Sequence, residues 1–420
     1  MVARVALILL LASVCILQLA GSGSVGPIGP AHADDDDDDD DEGRPRRRPP
    51  IVLERRRAIP RPVSGEIVAM GLTEADAARL RGEGYQIIAE FSSALLGRHI
   101  SRLRPPAWLG LDRALRRARS LAPSSEFARN DKFSKTRMRF SLAGTGCGRN
   151  CETFRLTAWS AAAETCPVSP ILGVIDTAVD MTHDSLKGAN VTLRTLRSSD
   201  RTPSRADHGT AVVSLLAGNP TSPVAGVLPR GRIVAADAFH QDGRQEKADV
   251  FDLVAALDWL NAERAQVINL SFSGPDNPAL KTAITQMRQR GVIIVAAAGQ
   301  PDSGANAGFP ARYDGVVAVS AIDMRLRPSP LAARGKHIAF SAPGVGVNVA
   351  APGNKTRLVD GTSFATPFVA AAYAMGLDPA RRSEDIERIL STSARDLGAP
   401  GRDPIYGWGL IQYDGIHCRQ

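Results

Sequence analysis

The sequence predicts an α/β protein in which a small α+β unit precedes a larger domain, whose mostly parallel sheet lies between two layers of helices. Three observations lead to this prediction. The chain has 420 residues, more than one average domain. From residue 168 onward, short apolar runs such as Ile171–Ile175 alternate with segments of helical spacing. Strands that are apolar throughout are buried on both faces, which is typical of parallel sheets covered by helices.

The first residues have the pattern of an export signal. Arg4 precedes an apolar run from Val5 to Ala20, and Ala31-His32-Ala33 offers a small-x-small cleavage site, which predicts a signal peptide over residues 1–33. Cleavage closer to Ala20 is the alternative. The apolar run is shorter than the ~20 residues that a spanning helix needs, so we expect no stable membrane span. The protein is therefore predicted to be secreted or periplasmic.

Residues 34–63 carry their charges in separate blocks. An unbroken acidic run, Asp34–Glu42, is followed by arginines among prolines. Such blocks contain too few apolar residues to form a core, which predicts a disordered linker. Nucleic-acid binding by the arginines is the alternative. The stretch has no aromatic residue and the acidic run would compete for the same charges, so we expect no nucleic-acid partner.

Residues 64–135 alternate strands and helices in a second pattern. The order strand, helix, strand, strand, helix, strand is that of a ferredoxin-like unit. Thr73 is a plausible N-cap for the first helix. The predicted elements are strands over Glu66–Met70, Tyr85–Phe91 and Arg98–Leu103, helices over Glu74–Leu80 and Leu109–Leu121, and a last short strand near Glu126–Phe133.

Residues 136–167 form a connector that contains three of the four cysteines left after removal of the signal. The four are Cys147, Cys151, Cys166 and Cys418. An even number in an exported chain suggests two disulfides, and we favour one that ties the C-terminus to the connector. A metal site is the alternative, but Cys-x3-Cys without a histidine at ligand spacing is a weak zinc signal. We therefore name no metal ligand.

The third region, residues 168–420, contains the large domain. Its apolar strands are expected to alternate with helices along the chain. The predicted strands are Ile171–Ile175, Arg232–Ala236, Val267–Leu270, Val292–Ala297 and Val316–Ser320, and the predicted helices are Gly209–Ala217, Ala248–Ala262, Pro278–Arg290, Phe364–Met375 and Ser383–Ser391.

Three short motifs in this domain supply an acid, a base and a nucleophile. Asp176 follows an apolar strand, His208 begins the run His-Gly-Thr-Ala, and Ser363 lies in Gly-Thr-Ser-Phe-Ala-Thr-Pro. A serine hydroxyl needs an adjacent base to become a nucleophile, and a carboxylate can fix the tautomer of that base. Asp176 also stands at the carboxyl end of its strand, where open α/β sheets place their sites. The remaining histidines, His240 among them, are expected to be ordinary surface or core residues.

The order Asp, His, Ser, together with the residues around each, resembles the subtilases, the subtilisin-like serine proteases of the peptidase S8 family. The resemblance covers about 250 residues, the usual size of such a domain. It implies hydrolysis of polypeptide substrates through an acyl-enzyme, with no cofactor required for the chemistry. It also implies that residues 64–135 are a pro-domain that inhibits the zymogen until processing near residue 136. A catalytically impaired peptide-binding protein of the same fold is the alternative.

Two positions differ from the family pattern. The run Ser271-Phe272-Ser273 resembles the strand that lines the substrate cleft, but subtilases usually carry glycine at the position of Ser273. Gln300 stands where the family has an asparagine whose amide stabilises the oxyanion. Glutamine keeps the amide donor and adds one methylene, so Gln300 is either the donor or leaves the backbone N–H of Ser363 as the main one.

Calcium is common in subtilases, but its ligands cannot be assigned from this sequence. Ser185 stands where the family has an acidic ligand. Asp180 and Asp184 are therefore expected to be solvent-facing or capping carboxylates. A structural calcium remains possible at an unassigned position.

Overall fold

The computed structural model describes residues 65–135, 139–140, 151–159, 170–300, 307–377 and 383–414. The predicted signal peptide and linker lie outside these ranges, as do Cys147, Cys166 and Cys418. Cys151 belongs to a described helix, although nothing is described of its side chain. None of the helices in the described ranges is both long and apolar enough to cross a bilayer.

The N-terminal unit has the predicted ferredoxin-like order of elements. Its four strands form an antiparallel sheet in the order β2-β3-β1-β4. Thr73 caps the first helix by accepting a hydrogen bond from the backbone N–H of Asp76. The elements are β1 (Ile67–Met70), α1 (Glu74–Gly82), β2 (Gln86–Ser93), β3 (Arg98–Arg104), α2 (Leu111–Leu121) and β4 (Glu126–Arg129).

Both faces of the sheet are buried at its strand β1. Ile67 and Ala69 of β1 pack with residues of α1 and α2 in one apolar cluster. Val68 and Met70, which alternate with them, belong to a cluster that contains residues of the large domain, including Phe251. Because successive side chains of a strand point to opposite faces, one side of the sheet holds its own helices and the other packs against the large domain.

The single strand predicted near Glu126–Phe133 is wrong, because the structure has two strands there. β4 ends at Arg129, and β5 (Lys132–Lys135) joins a sheet of the large domain. Asn277 of the large domain holds the chain at this change of direction, since its side-chain amide donates to the carbonyl oxygen of Arg129 and to Asp131. A partner almost 150 residues away in the chain cannot be recognised from local sequence.

The connector packs on the large domain where it is described. It contains β6 (Arg139–Phe140) and α3 (Cys151–Leu156). The rings of Phe154 and Trp159 stack with centroids 4.2 Å apart. The indole N–H of Trp159 donates to the carbonyl oxygen of Val227 at 3.2 Å.

The large domain is built on a seven-stranded parallel sheet with the order β17-β16-β14-β12-β7-β9-β8. The five predicted strands correspond to β7, β9, β12, β14 and β16 and are buried, whereas β8, at the edge of the sheet, is polar and mostly exposed, and β17 was not predicted. The elements of the domain are β7 (Leu172–Asp176), β8 (Val191–Thr195), α4 (Asp207–Ala217), β9 (Ile233–Asp237), β10 (His240–Asp242), β11 (Gln245–Asp249), α5 (Val250–Ala262), β12 (Val267–Leu270), β13 (Phe272–Pro275), α6 (Pro278–Gln289), β14 (Ile293–Ala297), β15 (Ala307–Phe309), β16 (Val317–Ile322), β17 (Ile338–Pro343), β18 (Val347–Ala351), β19 (Lys355–Asp360), α7 (Thr362–Gly376) and α8 (Ser383–Ser393).

Helices cover both faces of the parallel sheet, which confirms the predicted three-layer class. Residues of α4 and α7 belong to the apolar cluster on one face, and residues of α5 and α6 to the cluster on the other. Neighbouring residues of β7 illustrate the two faces, because Val174 joins the first cluster and Ile175 the second. Every residue of α7 is buried, and its small alanines let it pass through the core.

A second, five-stranded sheet lies beside the main one, in the order β10-β11-β5-β13-β15. The sequence did not reveal the hairpin β10–β11, and the helix predicted from Ala248 begins only at Val250. Ala248 and Asp249 instead end β11 and pair with β5. This sheet borders the site described next.

Candidate active site

Asp176 and His208 are in direct contact. Asp176 is the last residue of β7, and His208 is the second residue of α4. The imidazole Nδ1 lies 2.7 Å from Asp176 Oδ1, and both side chains are buried. A carboxylate only accepts, so this contact places the proton on Nδ1 and leaves Nε2 as the basic nitrogen. Nε2 has no hydrogen-bond partner among the residues that the structure describes.

Gly209 allows helix α4 to begin close to the end of β7. A Cβ atom at this position would collide with the backbone carbonyl oxygens of Thr177 and Ala178. The backbone N–H of Gly209 donates to Thr177 Oγ1 at 2.8 Å. The glycine in the His-Gly-Thr motif therefore permits the close approach that brings His208 to Asp176.

Ser363 lies at the start of α7, next to this pair. Its Oγ donates to the backbone carbonyl oxygen of Ser271 at 2.8 Å, and Ser271 Oγ donates to the carbonyl oxygen of Ser363 at 3.0 Å. The ring of Phe364, the next residue, lies 5.4 Å from that of His208. The N-terminal ends of α4 and α7 thus converge, and both direct partial positive charge to the same region.

Gln300 follows β14 and is partly buried. Gly299 precedes it with φ of +80°, a conformation that favours glycine. A Cβ atom at Gly299 would lie 3.0 Å from Ser273 Oγ, so the serine side chain fills the space beside this turn. The side chain of Ser273 therefore lies against the backbone of Gly299, next to Gln300. Whether the Gln300 amide reaches an oxyanion stays a prediction.

The strand that is predicted to line the cleft, β13, is paired with another segment of the same chain, β5. β5 lies between β11 and β13 and pairs antiparallel with both. Lys135 is opposite Phe272 in this ladder, and Ser134 is opposite Ser273. An extended segment from the N-terminal unit is thus added, in the manner of a bound peptide strand, beside the strand that is predicted to line the substrate cleft.

Phe133 is the best-packed residue of this segment. Its side chain is buried, and its ring centroid lies 5.9 Å from that of Phe272, which in turn lies 5.9 Å from that of Phe239. The ring also covers Gly274, where a Cβ atom would overlap it. The cleft therefore contains an aromatic pocket for the ring of Phe133. Any side chain at position 274 would overlap this ring, so the pocket requires a glycine there.

Two buried carboxylates, those of Asp237 and Glu246, have pKa values shifted in opposite directions. Asp237 is paired with Asp176 across β7 and β9, and burial raises its pKa to about 6, with a further contribution from the Asp176 charge. Lys135 forms an ion pair with the buried Glu246 of β11. Burial raises the pKa of Glu246, but Lys135 and Arg205 outweigh that effect and hold it below its usual value.

The carboxylates considered for calcium have partners within the protein. Asp180 accepts hydrogen bonds from Thr182 and from the backbone N–H of Gly353. Asp184 accepts from Asn354 at 2.5 Å and pairs with Lys187 at 2.5 Å. Both are turn-stabilising carboxylates, as expected.

Comparisons with known proteins agree with this arrangement. The model of the subtilase family matches residues 169–409. The chain is 32% identical over 210 residues to the minor extracellular protease Epr of Bacillus subtilis (strain 168), a match that covers 49% of this chain and 32% of that protein. It is 32% identical over 250 residues to subtilisin DY of Bacillus licheniformis, covering 58% of this chain and 89% of that protein. The match thus spans less than a third of Epr and most of subtilisin DY.

A solved structure extends the likeness beyond the large domain. Fervidolysin from Fervidobacterium pennivorans matches with a TM-score of 0.70 at 19% identity, covering 84% of this chain and 61% of that one. At this identity the likeness supports the fold alone.

Proposed function

Because the chain belongs to the subtilase family of serine endopeptidases, we propose that it is a secreted endopeptidase made as a precursor inhibited by its own N-terminal unit. The contact between His208 and Asp176, with Ser363 beside it, supports the catalytic assignment. The signal-like N-terminus supports secretion, as does the similarity to a protease named as extracellular. Its substrates are polypeptides.

The proposed reaction begins with a change of partner at Ser363. A substrate bound by strand addition presents a backbone N–H to the carbonyl oxygen of Ser271, which is the present acceptor of the serine hydroxyl. The hydroxyl then turns to His208 Nε2, which takes its proton as the oxygen attacks the peptide carbonyl. Asp176 holds the Nδ1–H and stabilises the imidazolium that forms.

The oxyanion requires hydrogen-bond donors that are fixed before the reaction. The backbone N–H of Ser363 at the start of α7 and the side-chain amide of Gln300 are the proposed donors. His208 returns the proton to the leaving amine, and a water molecule activated in the same way hydrolyses the acyl-enzyme.

The position of β5 is the single observation that carries the proposed inhibition. β5 enters the cleft beside β13, and its last residue, Lys135, is opposite Phe272, the neighbour of Ser271. The chain is next described at Arg139, which pairs with Asp360, three residues before Ser363. Lys135 and Arg139 therefore pair with two segments that each lie close in sequence to a residue of the Ser271–Ser363 contact. We propose that a peptide bond between Lys135 and Arg139 is the processing site.

A fluorophosphonate probe tests the proposed activity directly, because it labels only an activated serine. Processed protein should be labelled at Ser363, and the His208→Ala variant should lose the label because the base is absent. A folded, secreted protein that binds peptides in the cleft but is never labelled would instead be a peptide-binding protein with the subtilase fold.

A further inference from the structure

We propose that His240, Asp249 and Asp252 form a binding site for a divalent transition-metal ion where β10, β11 and α5 meet. One ligand atom from each residue lies within 4.8 Å of the others. His240 begins β10, Asp249 ends β11, and Asp252 lies in the first turn of α5. All three side chains are buried, with exposed fractions of 3%, 0% and 0%.

One polar atom of each side chain in this cluster lacks a partner. Within the described part of the chain, His240 Nδ1, Asp249 Oδ1 and Asp252 Oδ2 have no hydrogen bond, whereas Asp249 Oδ2 forms an ion pair with Arg201. The other oxygen of Asp252 accepts from the backbone N–H and the hydroxyl of Ser198. Buried polar groups are nearly always satisfied, so unsatisfied atoms that converge on one place indicate a ligand. A cation between them would satisfy all three side chains together.

The charge balance around the cluster also favours a cation. Arg201 bridges the cluster to the N-terminal unit, with one nitrogen 2.7 Å from Asp249 and 2.6 Å from Glu66. The surrounding ion pairs involve three carboxylates and three guanidinium groups, those of Glu66, Asp200 and Asp249 and those of Arg102, Arg104 and Arg201. Asp252 forms no ion pair within the described part of the chain, so its negative charge is the one that a cation would balance.

The donor set selects the class of metal. Calcium and magnesium prefer oxygen ligands alone, whereas one imidazole with two carboxylates suits zinc, manganese or cobalt. Burial lowers the pKa of His240 to about 4, with the charge of Arg201 acting in the same direction. The imidazole is therefore neutral at physiological pH and can bind a metal without first losing a proton.

A protonated cluster is the competing explanation. Burial raises the pKa of Asp252 to about 7 and also raises that of Asp249. The N-terminus of α5 further stabilises these two carboxylates without any metal. The two explanations differ in what they predict for zinc binding and for the Asp252→Asn variant.

The location suggests what the metal would do. Asp249 is opposite Lys132 in the ladder between β11 and β5, and Glu66 and Arg102 approach the cluster from the N-terminal unit. A metal ion would hold the end of β11 against the first turn of α5. It would thereby stabilise the surface of the large domain that contacts the N-terminal unit. The sequence predicts His240 to be an ordinary residue. The β10–β11 hairpin, which the sequence does not reveal, brings it to the two aspartates.

The test uses full-length chain with Ser363→Ala, which prevents processing. After chelator treatment, isothermal titration calorimetry with Zn²⁺ should show binding of one zinc ion per chain at this cluster. Asp252→Asn and His240→Gln should each lower the zinc affinity at least about tenfold. Asp242→Asn is the matched control, since Asp242 lies on the same hairpin, is exposed and pairs with Lys132 outside the cluster. It should leave zinc affinity unchanged. Co²⁺ in place of Zn²⁺ should give ligand-field absorption without a thiolate charge-transfer band.

Three results would overturn the proposal. Zinc affinity that is equal in the parent and in folded Asp252→Asn protein would place the metal elsewhere, and a thiolate band would place it at a cysteine. No zinc binding by the parent, together with a higher melting temperature of Asp252→Asn at pH 8, would identify a protonated cluster. If both ligand variants fail to fold, the proposal is tested on the parent protein alone. Its melting temperature must rise with Zn²⁺ and not with Ca²⁺, and the absence of a rise with Zn²⁺ would overturn the proposal.

Discussion

The hydroxyl of Ser363 donates a hydrogen bond to the backbone carbonyl oxygen of Ser271, 2.8 Å away. Ser271 directly precedes β13, the strand that pairs with β5. The acceptor that holds the nucleophile is thus a backbone group at the edge where a bound peptide is expected. In the proposed reaction, a bound peptide and the serine hydroxyl would compete for this one carbonyl group.

Replacement of the nucleophile should stop both activity and maturation. Ser363→Ala removes the only group that can form the acyl-enzyme in the proposed reaction, so peptide hydrolysis should be abolished and the precursor should accumulate. N-terminal sequencing of the secreted parent should give a first residue between 136 and 139, whereas the variant should retain residues 65–135. Normal peptidase activity of purified Ser363→Ala protein would exclude this serine as the nucleophile.

Gln300 should act mainly on the rate of the chemical step. If its amide binds the oxyanion, Gln300→Ala should lower kcat with little change in KM, since the interaction exists mainly in the transition state. A loss of ~3 kcal/mol corresponds to a rate decrease of about a hundredfold. Gln300→Asn is the matched variant and should retain activity. Steady-state kinetics that give the same kcat for Gln300→Ala and the parent would show that another group is the donor.

Phe133 and Gly274 should be energetically coupled. Phe133→Ala leaves the aromatic pocket empty and should destabilise the Ser363→Ala precursor by about 3–5 kcal/mol, the usual cost of such a truncation. Gly274→Ala should also destabilise it, because the new methyl group overlaps the ring of Phe133. In the Phe133→Ala background the same methyl group has room, so urea unfolding of the double variant should show a smaller additional cost. Equal costs in both backgrounds would contradict the pocket described here.

Asp237 should make stability depend on pH. Its pKa is raised from 3.8 to about 6 in the folded protein, so the folded state loses stability relative to the unfolded state as pH rises through this interval. Asp237→Asn removes the ionisation and can still accept from Ser204. Relative to the parent, the variant should gain up to about 3 kcal/mol between pH 4 and 6 and no more above it. Urea unfolding at pH 4, 6 and 8 measures this, and a constant difference would refute it.

The four cysteines should be oxidised in the exported protein. Cys147, Cys151, Cys166 and Cys418 form an even set in a chain with an export signal, which favours two disulfides. Mass spectrometry after purification without reductant should find no free thiol. Serine at both members of a mapped pair should lower the free energy of unfolding by about 2–5 kcal/mol. Four free thiols in the secreted protein would refute the prediction.

The sequence by itself determined five central strands of the large domain, the helices predicted to cover them, and the identity of the candidate reactive groups. Short apolar runs indicate strands that are buried on both faces, and apolar residues at helical spacing indicate the helices that cover them. Both patterns are visible within a short stretch of sequence. The same holds for Asp176, His208 and Ser363, whose motifs combine a reactive residue with the small residues that its backbone position requires. These properties are encoded within a few neighbouring positions, so they can be read without knowing the fold.

Only the tertiary structure decided which distant segments meet. It showed that β5 leaves the N-terminal sheet for the cleft, that Ser273 fills the space beside Gly299, and that His240 joins Asp249 and Asp252. Each of these contacts depends on the packing of elements that are remote in the chain or on a hairpin with no local signature. Their free energy comes from burial and complementary shape, which no short sequence pattern contains.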